Sequence, residues 1–87
     1  MRLDKFLKVS RLIRRRTVAK TACAAGRVTL NGTTAKAGSR VEPGDVLTID
    51  FGNRELTVRV LAVAEHVPAS RAQELYEVVD EVYKERA

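Results

Sequence analysis

The sequence predicts an α+β fold: two short N-terminal helices on a small curled antiparallel sheet, followed by a C-terminal helix. Three observations carry this. Apolar residues recur at helical spacing before residue 26, alternate between residues 27 and 63, and return to helical spacing after Pro68. The length, 87 residues, has room for one small domain and no second catalytic one.

The first helix is expected over 2–9, with Leu3, Phe6, Leu7 and Ser10 on one face and Arg2, Lys5, Lys8 and Arg11 mostly on the other. Asp4 falls in its first turn, where a negative charge suits the helix dipole. Thr17 is the expected N-cap of a second helix over 18–25, whose small residues Val18, Ala19, Ala22, Cys23 and Ala25 permit close packing. Gly26 then serves as a C′ glycine.

The period now changes. Arg27 to Leu30 alternates, Asn31-Gly32 is a strong two-residue turn signal, and Thr33 to Lys36 is the returning strand. Val41 to Asp45 is turn chemistry around Pro43-Gly44. Val46 to Phe51 reads as a strand, Gly52-Asn53 as a turn, and Leu56 to Val63 as a strand with Leu56, Val58, Val60 and Ala62 on one side. Ser70 to Gln73 fits a capping box. Ala72, Leu75, Tyr76, Val79, Val82 and Tyr83 then predict a final helix of about four turns. Its stripe places Tyr76 and Tyr83 in the core.

Charge is distributed unevenly. Residues 1–27 hold nine basic groups and one acid, residues 28–64 are neutral, and residues 65–87 hold three basic and six acidic groups. So dense a cationic front repels itself unless a polyanion neutralises it. A solvated, solubilising face is the plainer account. No apolar run reaches the length of a membrane span or of a secretory signal's centre, and a cytoplasmic protein is expected.

An enzyme reading has little to stand on. His66 is the only histidine and no nucleophile is placed beside it. Cys23, the only cysteine, reads as a small buried hydrophobe and excludes an internal disulfide or a cysteine-based metal site. The acids after residue 73 read as a solvated face. The five glycines are scattered among turns and make no phosphate loop. No catalytic residue, metal or cofactor is expected. The candidates are cationic: Arg2, Lys5, Lys8, Arg14, Arg15, Arg16 and Lys20. Guanidinium forks bind phosphate bidentately, and the start of the second helix adds backbone N–H groups. Few aromatics are available for stacking, so a structured nucleic acid read by shape and phosphates fits better than a single strand. Composition does not choose between RNA and DNA.

Some of these residues form a recognisable set. Arg2 to Leu7, Arg14-Arg15-Arg16 with Ala19, Gly26-Arg27-Val28, Asn31-Gly32, and Val41 with Pro43-Gly44-Asp45 resemble the S-four-type RNA-binding domain, the alpha-L motif, over roughly residues 2–51. Ser10 to Ile13, Arg15 to Thr17, Phe51-Gly52 and the tail Pro68 to Ser70 with Leu75 to Glu77 resemble its stand-alone members, the RqcP and ribosome-associated heat-shock protein family. The resemblance implies residues 1–64 as the RNA-binding domain and 65–87 as a helical extension packed on it. It implies binding to large-subunit rRNA and to peptidyl-tRNA on obstructed large subunits, and support of RqcH in adding alanine tails. Arg2 and Arg16 are its foremost contact residues. Heat-shock members carry a long basic C-terminal extension, whereas this chain ends at Ala87 in an expected acidic helix, so the RqcP type is favoured. That helix faces solvent or meets a protein partner such as RqcH. A heat-shock-type recycling factor and an accessory module of an RNA-modifying enzyme are the alternatives, and membrane-surface binding by the first helix is a third. The free chain is expected to be a monomer.

Overall fold

The structure, a computed structural model, describes residues 1–84. Two helices, α1 (Leu3–Val9) and α2 (Arg16–Ala24), precede strands β1 (Val28–Leu30), β2 (Thr33–Thr34), β3 (Val46–Asp50) and β4 (Arg54–Val60). A 3-10 helix (Ala69–Leu75) leads into β5 (Tyr76–Tyr83). The five strands form one antiparallel sheet in the order β2-β1-β3-β4-β5. The α+β class stands. No helix among the described residues is long and apolar enough to cross a membrane.

α1 forms as its apolar spacing requires: Leu3, Phe6, Leu7 and Ser10 are all buried. No side chain caps its start. The loop ahead of β3 does so instead, with the Ser39 and Ala37 carbonyls accepting from the N–H groups of Leu3 and Asp4 at 2.8 and 3.1 Å. The helix ends where Arg11 takes a left-handed conformation (φ 64°), uncommon outside glycine.

α2 starts two residues earlier than Thr17 predicts. Arg15 is its N-cap and makes no side-chain cap; the Thr17 carbonyl accepts from the Thr21 hydroxyl at 3.1 Å. Ala19 and Cys23 are buried, whereas Val18 is exposed and belongs to a surface groove described below. Positive φ at Asn31 and Gly32 (51° and 85°) makes the tight β1–β2 hairpin that the Asn-Gly pair predicts. The returning strand is shorter than expected and stops at Thr34.

Alternation decides the sheet's two faces. Val28, Leu47, Ile49, Leu56, Val58 and Val60 are buried in one core with the inner residues of α1 and α2. The opposite face carries threonines in one cross-strand row, Thr34, Thr29, Thr48 and Thr57, with Thr48 and Thr57 hydroxyls 3.0 Å apart. β4 ends at Val60, before Ala62 can join its buried side; Ala62 is exposed.

The expected C-terminal helix is corrected. Residues 69–75 make a 3-10 turn preceded by Pro68, without a side-chain cap, so the capping box does not form. Residues 76–83 are a strand paired with β4 from Tyr76↔Val60 to Tyr83↔Arg54. The apolar spacing there fits both periods over so short a window, and β-branched valines with tyrosines favour extended backbone. The open edge of β4 decides the outcome, because its N–H and C=O groups find partners only in another strand. Tyr76 is half-buried, but Tyr83 is 69% exposed and is not core. The remainder of the expected extension, residues 85–87, lies outside the described residues.

Candidate nucleic-acid interface

The centre of the cationic region is a buried acid. Asp4 is fully buried, and its carboxylate accepts from two arginines. Arg2 Nε and Nη2 donate to Oδ1 and Oδ2 at 3.2 and 3.4 Å. Arg16 Nη2 donates to Oδ1 at 3.3 Å, and its Nε lies 3.2 Å from Oδ2. The Lys5 backbone N–H adds a third source at 2.8 Å. Burial alone would raise the Asp4 pKa. The hydrogen bonds from Arg2 and Arg16, the Arg16 charge and the Lys5 N–H outweigh it, so the carboxyl is held below its ordinary range.

This arrangement joins the N-cap of α1 to the first residue of α2. It fixes two guanidinium planes while leaving the Arg2 and Arg16 side chains 54% and 42% exposed. Each Arg fork has five donors, so N–H groups remain for a ligand. Gly38 lies beneath Arg2: a Cβ there would stand 3.4 Å from its Nη1.

The other candidates separate into groups. Lys8 and Arg14, with Arg11, border one surface depression beside Ala69. Arg14 also borders a larger groove with Arg15 and Arg27. Lys20 borders a third depression with Lys36, between α2 and the loop after β2. Lys5 is diverted, since its Nζ pairs with Glu65. Among the described residues, Lys8, Arg14, Arg15 and Lys20 have no carboxylate within ion-pair distance.

Four residues of this region escape a reading of the sequence. The helix dipole accounts for Asp4 in the sequence; the further signal there is a lone acid amid nine cations, next to Leu3 on the inward side. Arg11 stands with the cations on the outer face of the first helix and Arg27 lies in the Gly26-Arg27-Val28 motif, but neither pattern marks them as site residues; Lys36 carries no such signal, and all three join the depressions through the fold. Cys23 is buried as expected: burial, and next the Asp4 charge, push its thiol up and keep it protonated. His66 is exposed, as a surface histidine should be.

Fold and surface together define a class: a small α+β domain whose two helices present fixed arginines and unpaired cations. Residues 1–47 match the S4 domain family. The chain is 57% identical to the RQC P-site tRNA stabilizing factor of Halalkalibacterium halodurans, over 93% of this chain and 92% of that protein. It is 49% identical to the factor of the same name from Bacillus subtilis, over 93% and 94%. Among solved structures, Vibrio cholerae heat shock protein 15, described as trimeric, superposes with a TM-score of 0.85 at 32% identity, covering 91% of this chain and 81% of that one. The chain belongs to the S4-domain family and, within it, to the family of the RQC P-site tRNA stabilizing factors.

Proposed function

We propose that this chain is a binding factor of ribosome-associated quality control that docks its helical face on folded RNA and performs no chemistry of its own. The RNA is the tRNA held in the P site of an obstructed large subunit, together with adjoining large-subunit rRNA. By stabilising that tRNA it supports RqcH-dependent addition of alanine to the stalled chain, in the cytoplasm. The contact residues are Arg2, Arg16, Arg14, Arg15, Lys8 and Lys20, with Lys5 released from Glu65 on docking. The name shared by relatives at 57% and 49% identity supports the tRNA assignment.

One observation carries the reading. A fully buried Asp4 holds Arg2 and Arg16 side by side at a half-exposed surface. Burying a carboxylate is costly, and a protein seeking only solubility has no use for immobilised arginines. Pre-oriented forks suit phosphates, because little side-chain freedom is lost on binding. Domain organisation follows: residues 1–64 bind RNA, and the following segment completes the sheet on the far side.

The test is binding to purified large subunits carrying peptidyl-tRNA, as a function of salt. Six phosphate contacts give a log–log slope of about −4 to −5. A flat salt response, or equal binding to subunits lacking tRNA, overturns the tRNA assignment. A heat-shock-type recycling role is the second reading, favoured by the fold match to the Vibrio protein. Deletion separates the two: loss of alanine tails supports the first, and intact tails with accumulated peptidyl-tRNA subunits support the second.

A further inference from the structure

One groove among the described residues is not part of the Asp4 cluster. It lies between α2, the α1–α2 linker and the end of β3, with a volume of about 760 Å³. Its lining is mostly apolar: Leu12, Ile13, Val18, Ala22, Ile49 and Phe51. Its rim holds Arg14, Arg15 and Arg27. Among the described residues no carboxylate pairs with these three. The one acid in the lining, Asp50, is neutralised by Lys84 at 2.9 Å. Arg27 leans over Gly52, where a Cβ would meet its Nη1 at 3.9 Å, and Arg54 covers one face of the Phe51 ring at 4.6 Å.

We infer that this groove receives one unpaired base of the bound RNA, with the rim arginines holding the phosphates on either side of it. The inference rests on the RNA-binding reading above and extends it. The occupant must be apolar and flat at its centre and anionic at its edges. A nucleobase flanked by two phosphates has that layout. Paired RNA does not, because its bases are inaccessible from the backbone side. The groove is continuous in sequence with the Asp4 cluster, since Arg14 and Arg15 directly precede Arg16. An acidic amphipathic peptide matches the charge pattern too, but it would not share the phosphate surface next door.

The test uses two RNA hairpins of identical sequence, one fully paired and one with a single-nucleotide bulge, titrated against the full chain. Base stacking predicts roughly tenfold tighter binding of the bulged hairpin. Two charge-neutral variants address the groove: Val18→Ser removes an exposed apolar wall, and Ala22→Leu fills part of it. Each should abolish the bulge preference while leaving affinity for the paired hairpin unchanged. Methyl resonances of Leu12, Ile13 and Ile49 should shift with the bulged hairpin only. Equal affinity for both hairpins overturns the groove assignment and leaves RNA binding standing. Binding of neither overturns both. Methyl shifts with an acidic amphipathic peptide and with neither RNA would assign the groove to a protein partner instead.

Discussion

The two ends of the molecule handle positive charge in opposite ways. Along β4 and just after β5 each cation has its own acid: Arg59 with Glu77 at 2.6 Å, Arg54 with Glu81 at 2.5 Å, and Lys84 with Asp50 at 2.9 Å. These pairs are partly exposed; the first two hold β5 against β4, and the third ties the residue after β5 to the end of β3. On the helical side a single buried acid orients two arginines, and Lys8, Arg14, Arg15 and Lys20 stand without an acidic partner among the described residues. Charges that serve the fold are neutralised within it. In the proposed function, the charges left over are those that meet the RNA.

The sharpest way to break this contrast is to remove the oriented pair without unfolding the protein. Replacing Arg2 and Arg16 alone would strand the buried carboxylate, at about 3 kcal/mol. The combined variant Arg2→Gln, Asp4→Asn, Arg16→Gln avoids that. It should bind subunits about 100-fold more weakly and flatten the salt slope by about 1.5 to 2, with its circular dichroism unchanged. Unaltered co-sedimentation would mean that the helical face is not the docking surface.

Asp4→Asn alone comes next. Losing the charge-assisted bonds should cost about 2 kcal/mol in urea denaturation and weaken binding about tenfold, since the arginines lose their fixed positions. A stability loss with normal affinity would separate the structural role of Asp4 from its orienting role. The same residue sets an acid dependence. Its folded pKa lies below the ordinary value of 3.8, so its stabilisation is complete above about pH 4. That share disappears as pH falls through the lower folded value. Stability curves of the parent and Asp4→Asn should therefore converge below pH 4; a constant gap would show that the carboxylate's charge is immaterial.

The smallest effect belongs to the other end. Arg59→Ala should change stability by no more than about 1 kcal/mol and leave RNA affinity within twofold, because an exposed pair gains little over water. A tenfold binding loss there would extend the RNA surface onto the sheet and erase the contrast.

Much of this was legible from residue order. Leu3, Phe6 and Leu7 at helical spacing located α1, Asn31-Gly32 located the hairpin, and alternation in 46–60 located the central strands with their buried faces. Family resemblance singles out Arg2 and Arg16, and the fold brings both to one carboxylate, Arg2 from two residues away and Arg16 from twelve. What could not be read was anything set by distant partners. Tyr76 to Tyr83 carries both a helical and an extended period.

Short-range preference therefore determined the α+β class, the turns and the crowding of cations into the first third of the chain, because those depend on neighbours within a few positions. Tertiary structure decided that the last element is a strand, that Asp4 is the hub of two arginines, and that Leu12, Val18 and Phe51 share one groove. The physical reason is common to all three. Each is settled by hydrogen-bonding and desolvation between groups far apart in the chain, and these exist only once the sheet and helices have met.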